Sequence, residues 1–386
     1  MSRFSRRSPF GKIIIVLFTG ILSILIFLLL GLSGYVYYLS KNYSRIEDNY
    51  DLSEEIEFNG YSSVLSNSDV WSKSFTILTY NIGFGAYDQN YNSFLDSGYM
   101  IDGTKVSGTM AKARSYEAAK DNTLGALGIL MDNQTDFILL QEVDKEADRS
   151  YHINQYEMFN DTLFTYSYSS IYASNFHSAF LAYPLLDMFG KTESGLVTFS
   201  KYRIKEAVRR SYPIDESFPW KFFDLDRCFS LCRYSLPNGK EFVLCNSHMS
   251  AYDKDAVIRT QQLKFLNNFL KAERDKGNYV IVGGDFNHDI ASSVGYFPSK
   301  QQDPEWAKPL TNDDLTEGYT IAASLNCGTC RAAEINYTKG INYETVIDGF
   351  IISDNIQVVD IENIDTDYMY SDHNPAKLTF MFDYFG

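Results

Sequence analysis

The sequence predicts an α/β protein in which two mixed β-sheets form a sandwich with helices outside, preceded by a single membrane-spanning helix. Three observations predict it. Short apolar, β-rich runs recur from residue 74 onward, two longer stretches among them carry helix-spaced apolar residues, and an uncharged run of twenty residues precedes them all. Helices interspersed with strands argue for parallel pairs, short turns between neighbouring strands argue for antiparallel ones, and the sheets must therefore be mixed.

The uncharged run covers residues 13–32, and apolar character continues to Leu39 before Lys41. Roughly 20 residues rising 1.5 Å each match the hydrocarbon thickness of a bilayer, so residues 13–39 read as a transmembrane helix. Arg3, Arg6, Arg7 and Lys12 lie before it. Positive-inside asymmetry makes residues 1–12 a cytoplasmic tail of a single-pass cell-membrane protein and puts the rest on the far side. A secretory signal peptide competes with this reading, but its apolar run is about 7–15 residues and ends at small residues. Here it ends in Gly34-Tyr35-Val36-Tyr37-Tyr38, aromatic residues suited to an interfacial belt. Residues 40–73 are polar, acidic and without sustained periodicity, so they read as a stalk, with a globular domain over 74–386.

With 45% hydrophobic and 22% charged residues, the composition is that of a packed globular protein. The net charge of −15 argues against tight, non-specific nucleic-acid binding, which draws its affinity from Lys and Arg at phosphates. Five cysteines are too few for a disulfide-stapled scaffold of this size. Cys327 and Cys330 are spaced for a local disulfide or stand as two free thiols, and zinc would ask for two further ligands nearby. Cys228, Cys232 and Cys245 sit among apolar residues and read as core.

Residues 74–81 (SFTILTYN) form the first strand, and Gly83 and Gly85 break it, leaving Asn81 at its end. Residues 113–133 are good helix formers with apolar residues at Leu124, Leu127 and Leu130 or Met131, the spacing of an amphipathic helix. Residues 136–143 (DFILLQEV) return as a buried strand that ends in Glu142. Residues 196–199, 227–235 and 242–246 are further strands, the last two separated by the turn Pro237-Asn238-Gly239-Lys240. A second helix over 253–276 gathers Leu263, Leu266, Phe269 and Leu270 on one face. A short buried strand at 279–282 runs into Gly283-Gly284-Asp285, and residues 345–353, 356–361 and 376–382 complete the set.

Polar residues unfit for a core follow these apolar strands repeatedly: Asn81, Glu142, His248, Asp285 with Asn287, Asp348, and Asp372 with His373. A single one is usually a loop or cap residue. Together at one rim of a sandwich they make an acidic, imidazole-bearing pocket that packing does not explain. Oxygen ligands from Glu142, Asn81 and the aspartates suit Mg²⁺ or Mn²⁺, whereas zinc would ask for more nitrogen or sulfur. Two histidines beside carboxylates supply proton transfer near neutral pH and, when charged, stabilise a phosphate oxyanion. Such a set describes hydrolysis of a phosphate ester by water.

The segments Thr79-Tyr80-Asn81, Leu140-Gln141-Glu142-Val143, Asn246-Ser247-His248, Gly284-Asp285-Phe286-Asn287, Val346-Ile347-Asp348 and Ser371-Asp372-His373-Asn374-Pro375 carry a resemblance. In that order they resemble the signature of the endonuclease/exonuclease/phosphatase, or DNase I-like, superfamily, over about residues 75–382. The resemblance implies a four-layer α/β/β/α sandwich and a site in which Glu142 is the principal Mg²⁺ ligand. It also places Asn81 at the metal or phosphate, and Asp372 where it positions metal or nucleophile. Asp285 and Asn287 would orient the attacking water and bind phosphate, and His248 would contact a phosphate oxygen or protonate the leaving group. His373, held by Asp348, would act as base or transition-state donor. Arg227 stands before a strand where similar proteins often carry an arginine, and reads equally as a surface salt-bridge residue. His152, His177 and His288 lie outside the matching segments and read as ordinary polar residues.

The fold leaves the substrate open. Between Tyr151 and Phe189 stand eleven Phe and Tyr residues, about half of them expected in a core strand pair and the rest in an exposed rim that grips lipid or stacks on bases. Membrane tethering and acidity favour a lipid headgroup or other small phosphodiester. An extracellular nuclease is the second reading, and a non-catalytic surface binding module the third.

Overall fold

The computed structural model describes residues 9–65, 68–218, 220–222, 225–250, 257–304 and 306–384. They divide into two compact units, Met1–Ser44 and Arg45–Gly386. In the first lies one helix, α1 (Pro9–Asn42). Its stretch Lys12–Asn42 is long and apolar enough to cross a membrane by length and composition. The expected span, 13–39, falls inside it, and residues 1–8 of the expected tail lie outside the described residues.

In chain order, the strands of the second unit begin with β1 (Tyr50–Asp51), β2 (Phe75–Asn81), β3 (Ser97–Tyr99), β4 (Lys105–Ser107) and β5 (Phe137–Ala147). Then come β6 (Ser169–Leu181), β7 (Gly190–Ser200), β8 (Glu206–Ser211), β9 (Cys228–Ser235), β10 (Glu241–His248) and β11 (Tyr279–Asp285). The last are β12 (Tyr319–Ala322), β13 (Cys330–Arg331), β14 (Glu344–Thr345), β15 (Asp348–Ser353), β16 (Ile356–Asn363) and β17 (Ala376–Phe382). Seven build one sheet in the order β1-β8-β9-β10-β11-β15-β12, six build the other in the order β16-β17-β2-β5-β7-β6, and β3-β4 and β13-β14 are two small ribbons.

Each large sheet is mixed through one parallel pair. β2 and β5 run parallel, and the helix α2 (Tyr116–Asn133) crosses over between them. β10 and β11 run parallel, joined through α4 (Val257–Asp275), whose expected first turn at 253–256 lies outside the described residues. Parallel strands need such a crossover, whereas the antiparallel neighbours are joined more directly. A third helix, α3 (Gln155–Phe164), lies between β5 and β6 in the chain.

Three apolar clusters separate the layers. Phe75, Phe137, Leu196, Cys232, Leu244, Ile281 and Phe380 pack between the sheets. Ala126, Leu130, Phe159 and Leu163 from α2 and α3 pack with Leu78, Ile138 and Val197 of one sheet, and Leu266 and Leu270 of α4 pack with Val243 and Val280 of the other. The architecture is therefore the expected four-layer α/β/β/α sandwich.

Three expectations are corrected. The segment expected as a stalk belongs to the globular unit from Arg45 on: β1 pairs antiparallel with the edge strand β8. Leu52, Leu65 and Val70 enter the core between the sheets. Trp71 meets the rings of Tyr279, Phe382 and Tyr384. A few widely spaced apolar anchors hold this segment, and without periodicity they leave no signature of strand or helix. The strand expected to end at Glu142 continues to Ala147, because Glu142 occupies a bulge and not an end. The run 345–353 is two strands, β14 and β15, with Val346 and Ile347 between them.

Candidate active site

Both parallel pairs point their C-terminal ends the same way along the sandwich, and β15 and β17 begin there because they run antiparallel to β11 and β2. Chain direction alone thus brings Asn81, His248, Asp285, Asp348 and the segment before Ala376 to one rim, three strands of one sheet and two of the other contributing. Glu142 reaches the same rim by a bulge. Gln141 and Glu142 both stand between the Leu140↔Val197 and Val143↔Gly195 pairs, and Glu142 takes a left-handed backbone, φ 56°. A non-glycine residue there is strained and turns its side chain out of the strand's alternation. Val143 then returns to full burial.

Asp285 is the centre of the site. The Asn81 amide donates to its Oδ2 at 3.0 Å and to Oε1 of Glu142 at 3.3 Å. His248 Nε2 lies 3.4 Å from the same Asp285 oxygen and His373 Nε2 3.8 Å from it. His373 Nδ1 donates to Asp348 Oδ2 at 2.8 Å. Asp285 Oδ1 accepts the backbone N–H of Asn287 at 2.8 Å, and the Asn287 amide is itself taken by the Met249 carbonyl at 2.8 Å. Asp372 lies against Gly83 and Ser371: a Cβ added to Gly83 would stand 3.1 Å from its Oδ1. Every expected residue therefore reaches the site, although Asn81 serves the carboxylates as a donor while its own oxygen accepts the Gly83 N–H at 3.0 Å.

Gly284 explains why the strand carries glycine before Asp285. Its φ is +149°, and any Cβ there would stand 2.0 Å from the Ser247 carbonyl of the parallel neighbour β10. The close backbone approach sets His248 beside Asp285 in register.

The charges at the rim sort themselves by environment. Burial and the neighbouring Asp348 push the Asp285 carboxyl up to about 6, against the pull of His373 and the Asn81 and Asn287 hydrogen bonds. Burial pushes Asp372 up to about 7, with Glu142 adding to it and His373 and Arg331 opposing. Burial works against a charge on His373, yet the Asp348 carboxylate and Cys330 hold it well above the ordinary histidine value. His248 goes the other way: burial, then Arg227, His373 and Arg149, hold it well below. One imidazole is thus kept charged and the other neutral, the separation by which acid and base roles are divided.

The residues present fit a hard divalent cation. Glu142, Asp285, Asp348 and Asp372 bring carboxylates to the same rim, Asp348 Oδ1 is buried without a partner, and burial raises the Asp285 and Asp372 carboxyls, with a neighbouring carboxylate adding to each. Ligand atoms of Asp285, Asp348 and His373 lie within 4.8 Å of one another. Oxygen-rich sets of this kind suit Mg²⁺ or Mn²⁺.

Several supporting residues carried no signal as isolated letters. Gln141 donates to Asn246 Oδ1 at 2.7 Å, and Asn246 donates to the Leu140 and Val197 carbonyls at 3.0 Å each, stapling the sheets under the site. Both stand within the segments that carry the family resemblance, each as an amide beside an apolar run. Asn175 Nδ2 stands 3.4 Å from His248 Nδ1. Arg149 pairs with Asp144 at 2.8 Å and lies 3.8 Å over the Phe84 ring. All five cysteines are free, and Cys330 borders His373. His152 pairs with Asp148, His177 with Asp226, and His288 Nδ1 with the Phe286 carbonyl at 2.6 Å, so none joins the cluster around Asp285.

Residues 78–373 match the model of the Endonuclease/Exonuclease/phosphatase family. The chain belongs to that family. The match begins three residues before Asn81 and ends on His373, so it spans the whole rim. Among characterised proteins, the chain is 26% identical over 269 residues to the inositol phosphosphingolipids phospholipase C of Schizosaccharomyces pombe, covering 62% of this chain and 58% of that relative. It thus spans less than two thirds of the relative's length. Among solved structures, the family's protein from Beutenbergia cavernae is similar at a TM-score of 0.54 and 14% identity, over 80% of this chain and 72% of that one. One from Leptotrichia buccalis is similar at 0.51 and 14%, over 80% and 100%. At such identities the likeness shows the fold alone, and it is the fold described above.

Proposed function

We propose that this protein is a membrane-anchored, Mg²⁺-dependent phosphodiesterase that acts on lipid headgroups or related small phosphodiesters. The observation that carries the reading is the convergence of Asn81, His248 and His373 on one buried oxygen of Asp285, beside Glu142. Glu142 and Asp372, with Asn81 alongside, would hold the cation, and Mn²⁺ would serve in place of Mg²⁺. When bound, it supplies Lewis-acid charge for a phosphoryl oxygen and for the attacking water.

The protein's own groups divide the rest. Asp285, its carboxyl raised to about 6 and oriented by Asn81 and the Asn287 main chain, takes the proton of the attacking water. His373, charged and held by Asp348, faces the phosphoryl group as a donor to its developing oxyanion. His248 completes the wall around the leaving oxygen. The helix α1 spans the cell membrane with its N-terminus in the cytoplasm and the catalytic domain outside, as Arg3, Arg6, Arg7 and Lys12 before it favour.

A lipid substrate is supported by the rim. Of the eleven aromatic residues between Tyr151 and Phe189, six are buried, Phe176 and Phe189 among them, and five are exposed. At the tip between β6 and β7, Tyr183 is exposed together with Leu185 and Leu186, and Leu95, before β3, and Tyr99, at its end, are exposed as well. Phe94 joins the two segments by ring contacts to Tyr183 and Phe189. The hairpin is rooted at the site, because Phe176 and Phe189 flank Arg149 together with Phe84, three residues beyond Asn81. Exposed apolar tips rooted at a catalytic mouth suit a lipid surface, and the similar Schizosaccharomyces pombe protein is named for inositol phosphosphingolipids.

The full chain in detergent, given Mg²⁺ and offered sphingolipid phosphodiesters, phosphatidylinositol, nucleotides and a plasmid, tests the reading beside His373→Ala. Lipid headgroup release that disappears in the variant is expected. Plasmid nicking lost in the variant, with lipids untouched, would replace the lipid substrate by nucleic acid.

A further inference from the structure

The chain enters the globular unit at one particular end of a sheet. The first residue of that unit, Arg45, donates to the Tyr212 carbonyl at 2.8 Å and pairs with Glu216 at 3.2 Å. The Ser211 hydroxyl donates to the Ile46 carbonyl at 3.0 Å, and Asp48 accepts from the Ser211 N–H and from Arg210, each at 2.9 Å. Tyr50 then opens β1 opposite Arg209. Residues 45–50 are therefore fastened along the C-terminal end of β8 from the unit's first residue on.

That end is the catalytic rim. Ser211 of β8 stands opposite Cys228 of β9, and Cys228 stands opposite His248 of β10. The root of the chain thus lies two strands from His248, about 10 Å at the usual strand spacing. The apolar hairpin leaves from the same end. Thr192 of β7 pairs with Ala147, farther along β5 than Glu142, so the turn bearing Tyr183, Leu185 and Leu186 lies beyond the rim.

The tether is short on the scale of the sandwich. Lys41 is the first charged residue after the apolar run, and the four residues of chain from there to Arg45 reach at most about 14 Å. Entry at the other end of the sheet would have added the length of the eight residues of β10, about 26 Å, between membrane and site.

We propose that the catalytic rim is a docking surface for the bilayer that α1 spans, and that the substrate is a lipid headgroup taken in cis, from the leaflet facing the domain. The proposal rests on the anchored phosphodiesterase reading and narrows its substrate to lipids of the protein's own membrane. A short tether rooted on the rim keeps the mouth at the headgroups and makes each encounter effectively intramolecular. An opposing bilayer would meet the other end of the sandwich.

The test places the full chain with Mg²⁺ in phosphatidylcholine vesicles carrying sphingomyelin and phosphatidylinositol, and adds protein-free vesicles whose sphingomyelin and phosphatidylinositol bear a distinguishable label. Headgroup release from the protein's own vesicles is expected to exceed release from the added ones by about tenfold or more. A rigid helical spacer of about 30 residues, roughly 45 Å long, inserted between Ser44 and Arg45 should lower the first by about tenfold or more and leave turnover of bis(4-nitrophenyl) phosphate unchanged. Equal release from both vesicle populations, or a spacer without effect, overturns the proposal. Docking also has a readout that needs no turnover. Trp71, Trp220 and Trp306 all lie outside α1, and a fourth tryptophan, Leu186→Trp, should be quenched by brominated phosphatidylcholine beyond those three and released by the spacer. A Leu186→Trp side chain quenched no more than the native tryptophans overturns the proposal as well. Quenching in a protein that cleaves neither lipid nor soluble diester sinks the phosphodiesterase reading and leaves the docking standing. A chain that carbonate washes from the vesicles sinks the anchor and the proposal together.

Discussion

Nδ1 of His373 donates to Oδ2 of Asp348 across 2.8 Å, while the other oxygen of that carboxylate is buried without a partner. The two residues come from separate stretches of chain, one opening β15 and the other preceding β17, and from different sheets. The pair fixes the ring and its charge together. Burial alone would strip the proton from the imidazole, and the carboxylate is what retains it.

Asp348→Asn should therefore return His373 toward the ordinary histidine value or below it, read by imidazole NMR of chelator-treated protein. A histidine raised in the folded state stabilises fully below its unfolded value of about 6.5, and the gain is lost as pH rises through the folded value. The variant should accordingly lose more stability at pH 6 than at alkaline pH. His373→Ala should lower kcat by about 10²–10³-fold, the usual loss when a donor to a developing oxyanion is removed.

Chelation should abolish turnover, and Mg²⁺ or Mn²⁺ should restore it. Glu142→Gln keeps the side-chain volume on a half-buried bulge residue, so the fold should survive while the Mg²⁺ required for half-maximal turnover rises by about 10-fold or more. Unchanged metal dependence in that variant would remove Glu142 from the metal site.

Gly284→Ala should unfold the protein or cost about 3 kcal/mol or more, because its Cβ would meet the Ser247 carbonyl at 2.0 Å on a backbone that disfavours any side chain. Thermal unfolding monitors it, and Gly239→Ala, with nothing within 4 Å of its Cβ, gives the comparison for positive φ alone.

Arg233 joins Glu273 of α4 at 2.8 Å and Glu241 at 3.0 Å, binding the helix to the outer face of its sheet. Burial opposes the Glu273 charge, but Arg233, Asn278 and Lys276 hold its carboxyl down at about 2. A carboxyl depressed in this way stabilises above its unfolded value, near 4.3, and its contribution is lost as pH falls from there toward the folded value of about 2. Glu273→Gln should destabilise the protein at pH 7 and flatten its acid sensitivity between about pH 4 and 2, as measured by denaturant unfolding.

Leu185→Ser with Leu186→Ser should leave turnover of a soluble diester unchanged and lower hydrolysis of lipid in vesicles by about tenfold or more, since each buried leucine is worth about 1.5–3 kcal/mol. Equal loss on both substrates would show that the tip shapes the site instead of meeting lipid.

Much of the fold was legible because its signals are local. The strand at 75–81 and the helix at 116–133 show their periods within a few residues. β6 and the segment 45–72 were not, for opposite reasons. β6 mixes Ser, Asn and aromatic residues because its Asn175 stands against His248 while its Tyr172 meets Tyr156 of α3. The segment is held by scattered anchors that only a finished sandwich makes apolar.

By itself the sequence determined which side chains are available to the site and that they stand at strand ends, since apolar runs broken by Asn81, His248 and Asp285 are visible in one dimension. Only the tertiary structure decided what those groups are to one another. Asp285 as the shared centre, Glu142 turned out by a bulge, one histidine charged and one neutral, and Arg227 buried with idle donors all depend on burial and on distances between residues far apart in the chain. Charge states and unpaired donors are properties of a three-dimensional neighbourhood, and no linear pattern encodes them.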